Sequence, residues 1–219
     1  MARVQLWLAH LGGPAQHDAA RWLSRTEQAR AARFVFAGDA ARYRAAHVLL
    51  RRLLEQHCGV PAGEEFGLGP HDKPQLMMGN SWGFNLSHSG ELALIGIGPG
   101  DGIGVDVEVL REVDDVWPLA EQNFSANEYR ELRRTPAAQV ARAFLRGWTR
   151  KEACLKAIGS GLSIAPGSFD VGLAPGPKVL ALPSDSGLVR VGVHTVQAGA
   201  GALAAVARTL GLPVDQAFS

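Results

Sequence analysis

Only two cysteines, Cys58 and Cys154, occur in 219 residues. Two thiols so far apart cannot form the dense disulfide framework of a small secreted domain, and a reducing compartment is the expectation. Neither the seven histidines nor these cysteines show zinc-ligand spacing; His57-Cys58 is an isolated pair. No charge sign prevails, with 22 Lys and Arg against 21 Asp and Glu. The missing basic excess argues against nucleic acid as a partner. Long apolar runs are lacking as well. The longest, Ala198 to Ala207, is rich in Gly and Ala and falls short of the roughly 18 residues that cross a bilayer. Met1 to Trp7 is too short an apolar stretch for a signal peptide. A cytoplasmic protein without a membrane partner is expected. No window around Gly96 to Gly104 fits Gly-x-Gly-x-x-Gly, and no Walker A loop occurs. The segment Ser87-His88-Ser89-Gly90 does not fit a nucleophile elbow, so a Ser/His hydrolase is not supported.

What remains is 47% hydrophobic, enough for a substantial core in one large domain or two small ones. Alternation predicts a strand over Arg3 to Ala9. A short helix follows over His17 to Thr26. Thr26 reads as N-cap of a second helix to about Phe36, with Glu27 in its first turn. Asp39 reads as the cap of a longer helix to about His57, stopped by Gly59 and Pro61. Strands are predicted at Trp82–Ser87 and Glu91–Ile97, with His88-Ser89-Gly90 as the turn between them. Gly98-Pro99-Gly100-Asp101-Gly102 is a strong breaker. It divides the chain into expected subdomains 1–101 and 102–219. A strand over Gly102 to Glu108 opens the second. Ser125 and Glu128 have capping-box spacing. Thr135-Pro136 reads as N-cap and N1 of a long helix to about Ile158. Short strands fill Phe169 to Ala207. The class is α+β.

Three stretches carry chemistry. Asp106 and Glu108 share one face of a strand, while Val105 and Val107 face a core. Like charges at ~4 Å and an effective dielectric of 20 repel by roughly 4 kcal/mol. A hard divalent ion would offset this; a solvated strand edge with two unrelated acids is the alternative. Within the long helix, Phe144, Trp148, Leu155 and Ile158 form an apolar stripe that contains Lys151 and is edged by Glu152. A core-facing charge needs a partner. Glu152 can act as a third oxygen ligand and Lys156 as a counter-charge to phosphate. Alternatively, Glu152 pairs with Lys156 one turn on and Lys151 snorkels. Lys151 is expected near a cofactor cleft. The turn-like Asn85 to Gly90 can aim hydroxyl, imidazole and N–H groups at an anion. The arginines crowded between Arg21 and Arg52 also suggest an anion site.

Taken in order, Asn85-Leu86-Ser87-His88-Ser89, Gly104-Val105-Asp106-Val107-Glu108 and Trp148-Thr149-Arg150-Lys151-Glu152-Ala153-Cys154-Leu155-Lys156 closely resemble the three motifs of the long, monomeric 4′-phosphopantetheinyl transferases, the type that activates surfactin synthetase. Arg33 to Arg52 and Phe124 to Tyr129 resemble further family segments, so the likeness covers nearly the whole chain. It implies two pseudo-twofold-related α+β subdomains with coenzyme A between them. It also implies transfer of the 4′-phosphopantetheine arm to a serine of an apo acyl or peptidyl carrier protein, with release of adenosine 3′,5′-bisphosphate. Asp106, Glu108 and Glu152 would hold Mg²⁺, or Mn²⁺ in its place. Glu152 would take the serine proton, and Lys156 would stabilise the breaking pyrophosphate. Arg30 would meet a phosphate and His88 the 3′-phosphate. Lys73 would approach the nucleotide, Asn85, Leu86 and Ser87 would line its pocket, and Asp106 and Lys156 would also touch coenzyme A. Arg51 is a less secure contact. Asp72-Lys73-Pro74 departs from the family's Gly-Lys-Pro. A non-catalytic coenzyme A-binding module and a Mg²⁺-dependent phosphohydrolase share parts of this pattern.

Overall fold

The computed structural model describes residues 3–12, 19–77, 81–161, 163–184 and 187–210. The chain builds the same arrangement twice. In the first half, β1 (Gln5–His10) leads into helices α1 (Ala19–Trp22), α2 (Arg25–Ala32) and the long α3 (Ala37–Cys58). The short strands β2 (Gly67–Leu68) and β3 (Pro74–Gln75) form a two-stranded ribbon. Then β4 (Trp82–Ser89) and β5 (Leu92–Pro99) complete an antiparallel sheet in the order β1-β5-β4. In the second half, β6 (Ile103–Val109) precedes α4 (Val116–Asn123), α5 (Ala126–Arg134) and the long α6 (Val140–Ile158). Strands β7 (Lys178–Ser184), β8 (Gly187–Val196) and β9 (Ala202–Leu210) close a sheet in the order β6-β9-β8-β7. In both halves the first strand pairs antiparallel with the last. This is the expected α+β class, built as two similar units.

Each long helix covers one sheet. Leu50, Leu53 and Leu54 of α3 pack on Phe84, Ile95 and Ile97. Ala153, Cys154, Leu155 and Ala157 of α6 pack on Leu182, Val191, Val193, Ala205 and Ala207. Both helices stop at a left-handed glycine, Gly59 (φ 68°) and Gly159 (φ 67°), a conformation that a side chain would penalise. The halves meet through Leu94, Val105, Val107, Ala202 and Ala204, all nearly fully buried. The inward-facing reading of Val105 and Val107 is therefore correct. Among the described residues no helix is long and apolar enough to cross a membrane.

The halves also repeat a buried ion pair. Ser24 and Glu27 form a capping box at the start of α2, and Glu27 reaches Arg51 of α3, Oε2 to Nε at 3.0 Å. Ser125 and Glu128 form one at the start of α5, and Glu128 Oε2 lies 2.8 Å from Lys151 Nζ of α6. In each unit the cap residue thus fixes the start of one helix and neutralises a cation buried on the next.

Several boundaries differ from expectation. Ser24, not Thr26, caps α2, because its side chain accepts from the Glu27 N–H. That helix ends at Ala32 rather than near Phe36. Of the short helix expected over His17 to Thr26, His17 and Asp18 lie outside the described residues, Ala19–Trp22 is helical, and Arg25 and Thr26 already belong to α2. Asp39 lies inside the first turn of α3, and the N-cap is Phe36. Thr135 is the C-cap of α5; a 3-10 turn over Ala137–Gln139 then precedes α6. Strand β4 runs through Ser89, so His88 and Ser89 belong to the strand and the turn falls at Gly90-Glu91. Helix α4 is additional to the expected elements; its apolar residues Val116 and Ala120 are buried in the second half.

Candidate active site

The extension of β4 through Ser89 creates the site. Asn85, Ser87 and Ser89 alternate on one face of the strand. That face meets β6, the edge strand of the other sheet, through side chains rather than a backbone ladder. Asn85 Oδ1 accepts from the Val105 N–H at 2.8 Å. Ser87 Oγ donates to Asp106 Oδ1 at 2.8 Å. Ser89 Oγ donates to Glu108 Oε2 at 2.8 Å and accepts from the Val109 N–H at 3.2 Å. Each carboxylate of β6 is therefore held by a serine from the other half.

Helix α6 supplies the third side. Gly104 lets it approach, since a Cβ there would sit 2.0 Å from the Ala153 carbonyl oxygen. Lys156 Nζ bonds Asp106 Oδ1 at 2.6 Å and Ser87 Oγ at 3.2 Å. The pairing of Lys156 is thus with Asp106 across the site, not with Glu152 one turn away. Asp106 is 5% exposed, and its Oδ2 is buried without a hydrogen-bond partner. Burial raises the Asp106 carboxyl above its ordinary value, while Lys156 and Ser87 pull it back and Glu108 adds to the rise. Burial likewise raises Glu152; Lys156 opposes this, and Asp106 and Glu108 reinforce it. The charge of Glu108 thus reaches both Asp106 and Glu152, and that of Asp106 reaches Glu152. Among the described residues no three acids, histidines or cysteines form a closed metal cluster. The orphaned Oδ2 of Asp106, whose charge and that of Glu108 both act on Glu152, nevertheless is a hard oxygen donor of the kind that suits a divalent ion.

Beside these groups lies a cavity of about 650 Å³. Arg30, Tyr43, His47, Asn85, Leu86 and His88 contribute to its wall. Burial lowers the His88 imidazole first, and Lys156, Arg42 and Arg30 lower it further, with Asp39 opposing. His47 is lowered to about 4, chiefly by burial. Asp72 and Pro74 line this cavity, but Lys73 does not. Its Nζ donates instead to the carbonyl oxygens of Asp101 (2.7 Å), Ile103 (2.9 Å) and Ala157 (3.0 Å). Burial pulls Lys73 to about 8. Asp72, which stands where the resembled motif has glycine, has φ 60°. A short polar side chain tolerates that left-handed conformation better than most.

Arg51 is not at the cavity surface; it is 1% exposed and bound to Glu27 and to the Glu64 carbonyl. Lys151 corrects the expectation of a place near the cofactor cleft. It is wholly buried, held by Glu128, by the Pro166 oxygen at 2.7 Å and by the Phe169 oxygen at 2.6 Å, over the rings of Phe124 and Phe169. Desolvation lowers its pKa and Glu128 raises it. Neighbours in sequence, Lys151 and Glu152 thus serve different surroundings.

Comparison with known proteins agrees with this arrangement. The profile described as "4'-phosphopantetheinyl transferase superfamily" matches residues 102–194. That described as "4'-phosphopantetheinyl transferase, N-terminal" matches residues 14–98. The 4'-phosphopantetheinyl transferase HetI of Nostoc sp. is 39% identical over 168 residues, covering 73% of this chain and 70% of the relative. The chain belongs to the 4′-phosphopantetheinyl transferase family. The 4'-phosphopantetheinyl transferase psf-1 of Bacillus pumilus is 34% identical over 164 residues, 74% of this transferase and 69% of the relative. Sequence reasoning on the transferase missed Ser89 as a partner of Glu108. The signal was its period-two spacing from Asn85 and Ser87, hidden by reading His88-Ser89-Gly90 as a turn.

Proposed function

We propose that this transferase moves the 4′-phosphopantetheine arm of coenzyme A onto a serine hydroxyl of an apo carrier protein, in the presence of Mg²⁺ or Mn²⁺, releasing adenosine 3′,5′-bisphosphate. The observation that carries the reading is the Ser87–Asp106–Lys156 cluster, with an unpartnered Asp106 oxygen, beside the cavity walled by Arg30 and His88. Asp106, Glu108 and Glu152 would hold the metal, which when bound supplies positive charge to the pyrophosphate under attack. Arg30 and His88 bind nucleotide phosphates, and Asn85 and Leu86 wall the pocket. Ser87 orients Asp106 and offers its hydroxyl to the pyrophosphate. Lys156, already aimed between Ser87 and Asp106, meets the charge that grows on the leaving oxygen. Glu152 takes the proton from the carrier serine. Both halves of the site come from one chain, which suits a monomer with subdomains 1–101 and 102–219.

The test incubates the protein with coenzyme A, Mg²⁺ and a panel of apo acyl, peptidyl and aryl carriers. Mass spectrometry is expected to show one added phosphopantetheine on at least one carrier, and a matching amount of adenosine 3′,5′-bisphosphate. No gain on any carrier contradicts the reading. Release of the bisphosphate without a carrier marks a phosphohydrolase instead, and tight coenzyme A binding without turnover marks a binding module. Glu152→Gln is expected to abolish turnover with the fold intact; full activity in that variant overturns the assigned proton transfer.

A further inference from the structure

The family resemblance sends Lys73 toward the nucleotide, yet its ammonium already has three acceptors, one for each N–H. Those acceptors lie in the other half of the chain or at the joint between the halves. Asp101 and Ile103 flank the turn at which β6 begins. Ala157 follows Lys156 in the last turn of α6, where carbonyls lack intrahelical partners and the helix dipole favours a cation. Strand and helix touch here without a cushion. A Cβ on Gly104 would lie 2.0 Å from the Ala153 oxygen and 2.4 Å from the Ala157 nitrogen. The loop that presents Lys73 is itself strained, with His71 (φ 51°) and Asp72 (φ 60°) both left-handed. Two such non-glycine residues in a row persist only where the surroundings hold them. Loop strain, three filled donors and a backbone-to-backbone contact converge on one ammonium.

We propose that Lys73 is a positioning residue: by gripping Asp101, Ile103 and Ala157 together, it fixes the register of α6 on β6, and with it the spacing of Glu152 and Lys156 from Asp106 and Glu108. This rests on the transfer reaction proposed above for the same site. The Lys73 ammonium does not serve the nucleotide; it holds the two elements whose side chains do the chemistry.

The test compares the full chain with Lys73→Met, which keeps the stem and loses the donors, and Lys73→Gln, which keeps two. Hydrogen exchange read by mass spectrometry is expected to quicken about tenfold over residues 101–105 and 153–159 in Lys73→Met, and little elsewhere. Because small misplacements in an active site are costly, kcat is expected to fall about tenfold or more, with KM for coenzyme A within about threefold of the parent. Lys73→Gln, expected to fall between the two, decides the matter if Lys73→Met does not fold. Unchanged exchange overturns the clamp whether or not the parent is active. A raised KM with intact kcat overturns the proposal in favour of nucleotide contact. Faster exchange with unaltered kcat overturns the positioning part. A parent without transferase activity condemns the proposed function, and exchange alone then decides the clamp.

Discussion

Single residues in this protein act through groups far away in sequence. Ser89 illustrates this, donating to Glu108 while accepting from the Val109 N–H. Ser89→Ala frees the Glu108 carboxylate to rotate. Partners that orient a metal ligand are worth roughly 10–100-fold in metal affinity. The Mg²⁺ concentration giving half-maximal rate is therefore expected to rise at least tenfold, with kcat at saturating Mg²⁺ retained; an unchanged Mg²⁺ dependence would remove Ser89 from the site. Glu152 carries a second residue-scale expectation. Its carboxyl is raised by burial, and further by Asp106 and Glu108. In the metal-free protein this carboxyl is expected to titrate above the ordinary glutamate value, read by carboxyl chemical shifts across a pH series, and added Mg²⁺ is expected to bring it down. A titration at or below that value in the metal-free protein counts against a buried Glu152 beside two other carboxylates. His47 affects stability instead. Its folded pKa of about 4 lies below its ordinary 6.5, so the unfolded chain binds the proton more readily between these values. The stability it contributes is complete above 6.5 and is lost as pH falls toward 4. Thermal melts of His47→Gln are expected to fall less steeply over that window than those of the parent, and equal slopes would refute the assignment.

At the scale of elements, α6 is the part that has to be placed with care. It carries Lys156 to Asp106, it buries Lys151 against Glu128, and Gly104 sets how near it comes to β6. Gly104→Ala drives a methyl into helix backbone, which cannot move aside as a side chain would. Overpacking costs about 1–3 kcal/mol, which lowers Tm by roughly 2–12 °C in a chain of this size. Activity should fall further than stability, because the helix and strand carry opposite walls of the site. Breaking the buried pair acts differently. Lys151→Met leaves Glu128 charged and buried, a loss of about 3–5 kcal/mol by chemical denaturation. The double variant Glu128→Gln with Lys151→Met is expected to recover part of that loss. If the double variant is no better than the single, the ion pair is not what holds α5 to α6.

At the scale of the whole molecule, two similar α+β units share one site at their junction. The first contributes the hydroxyls of Ser87 and Ser89 and the cavity-lining Arg30 and His88; the second contributes carboxylates and Lys156. A ligand that touches both units should stabilise them together. At about 100 times Kd, coenzyme A with Mg²⁺ would add roughly 2.7 kcal/mol to folding, and Tm is expected to rise by several degrees. Replacing Glu108 by Gln should remove most of the Mg²⁺-dependent part of that rise and leave the part due to nucleotide alone. A full rise in the variant would take Glu108 out of the proposed metal set.

What could be read from the sequence alone is local. The capping box at Ser125, the glycine stops after α3 and α6, the shared face of Asp106 and Glu108 and the inward Val105 and Val107 follow from spacings of two to four residues, which backbone geometry imposes directly. The order of three motifs by itself indicates the family. The tertiary structure alone decided which groups meet. Lys156 could have paired with Glu152 by helical spacing, but it crosses 50 positions to Asp106, where a buried carboxylate oxygen needs a cation more than a partly buried one does. Lys151 took Glu128 because a fully buried ammonium requires a charged partner, and periodicity cannot say where that partner comes from. Lys73 found its third acceptor 84 residues away. Such contacts depend on how one half packs on the other, and no short-range pattern encodes that.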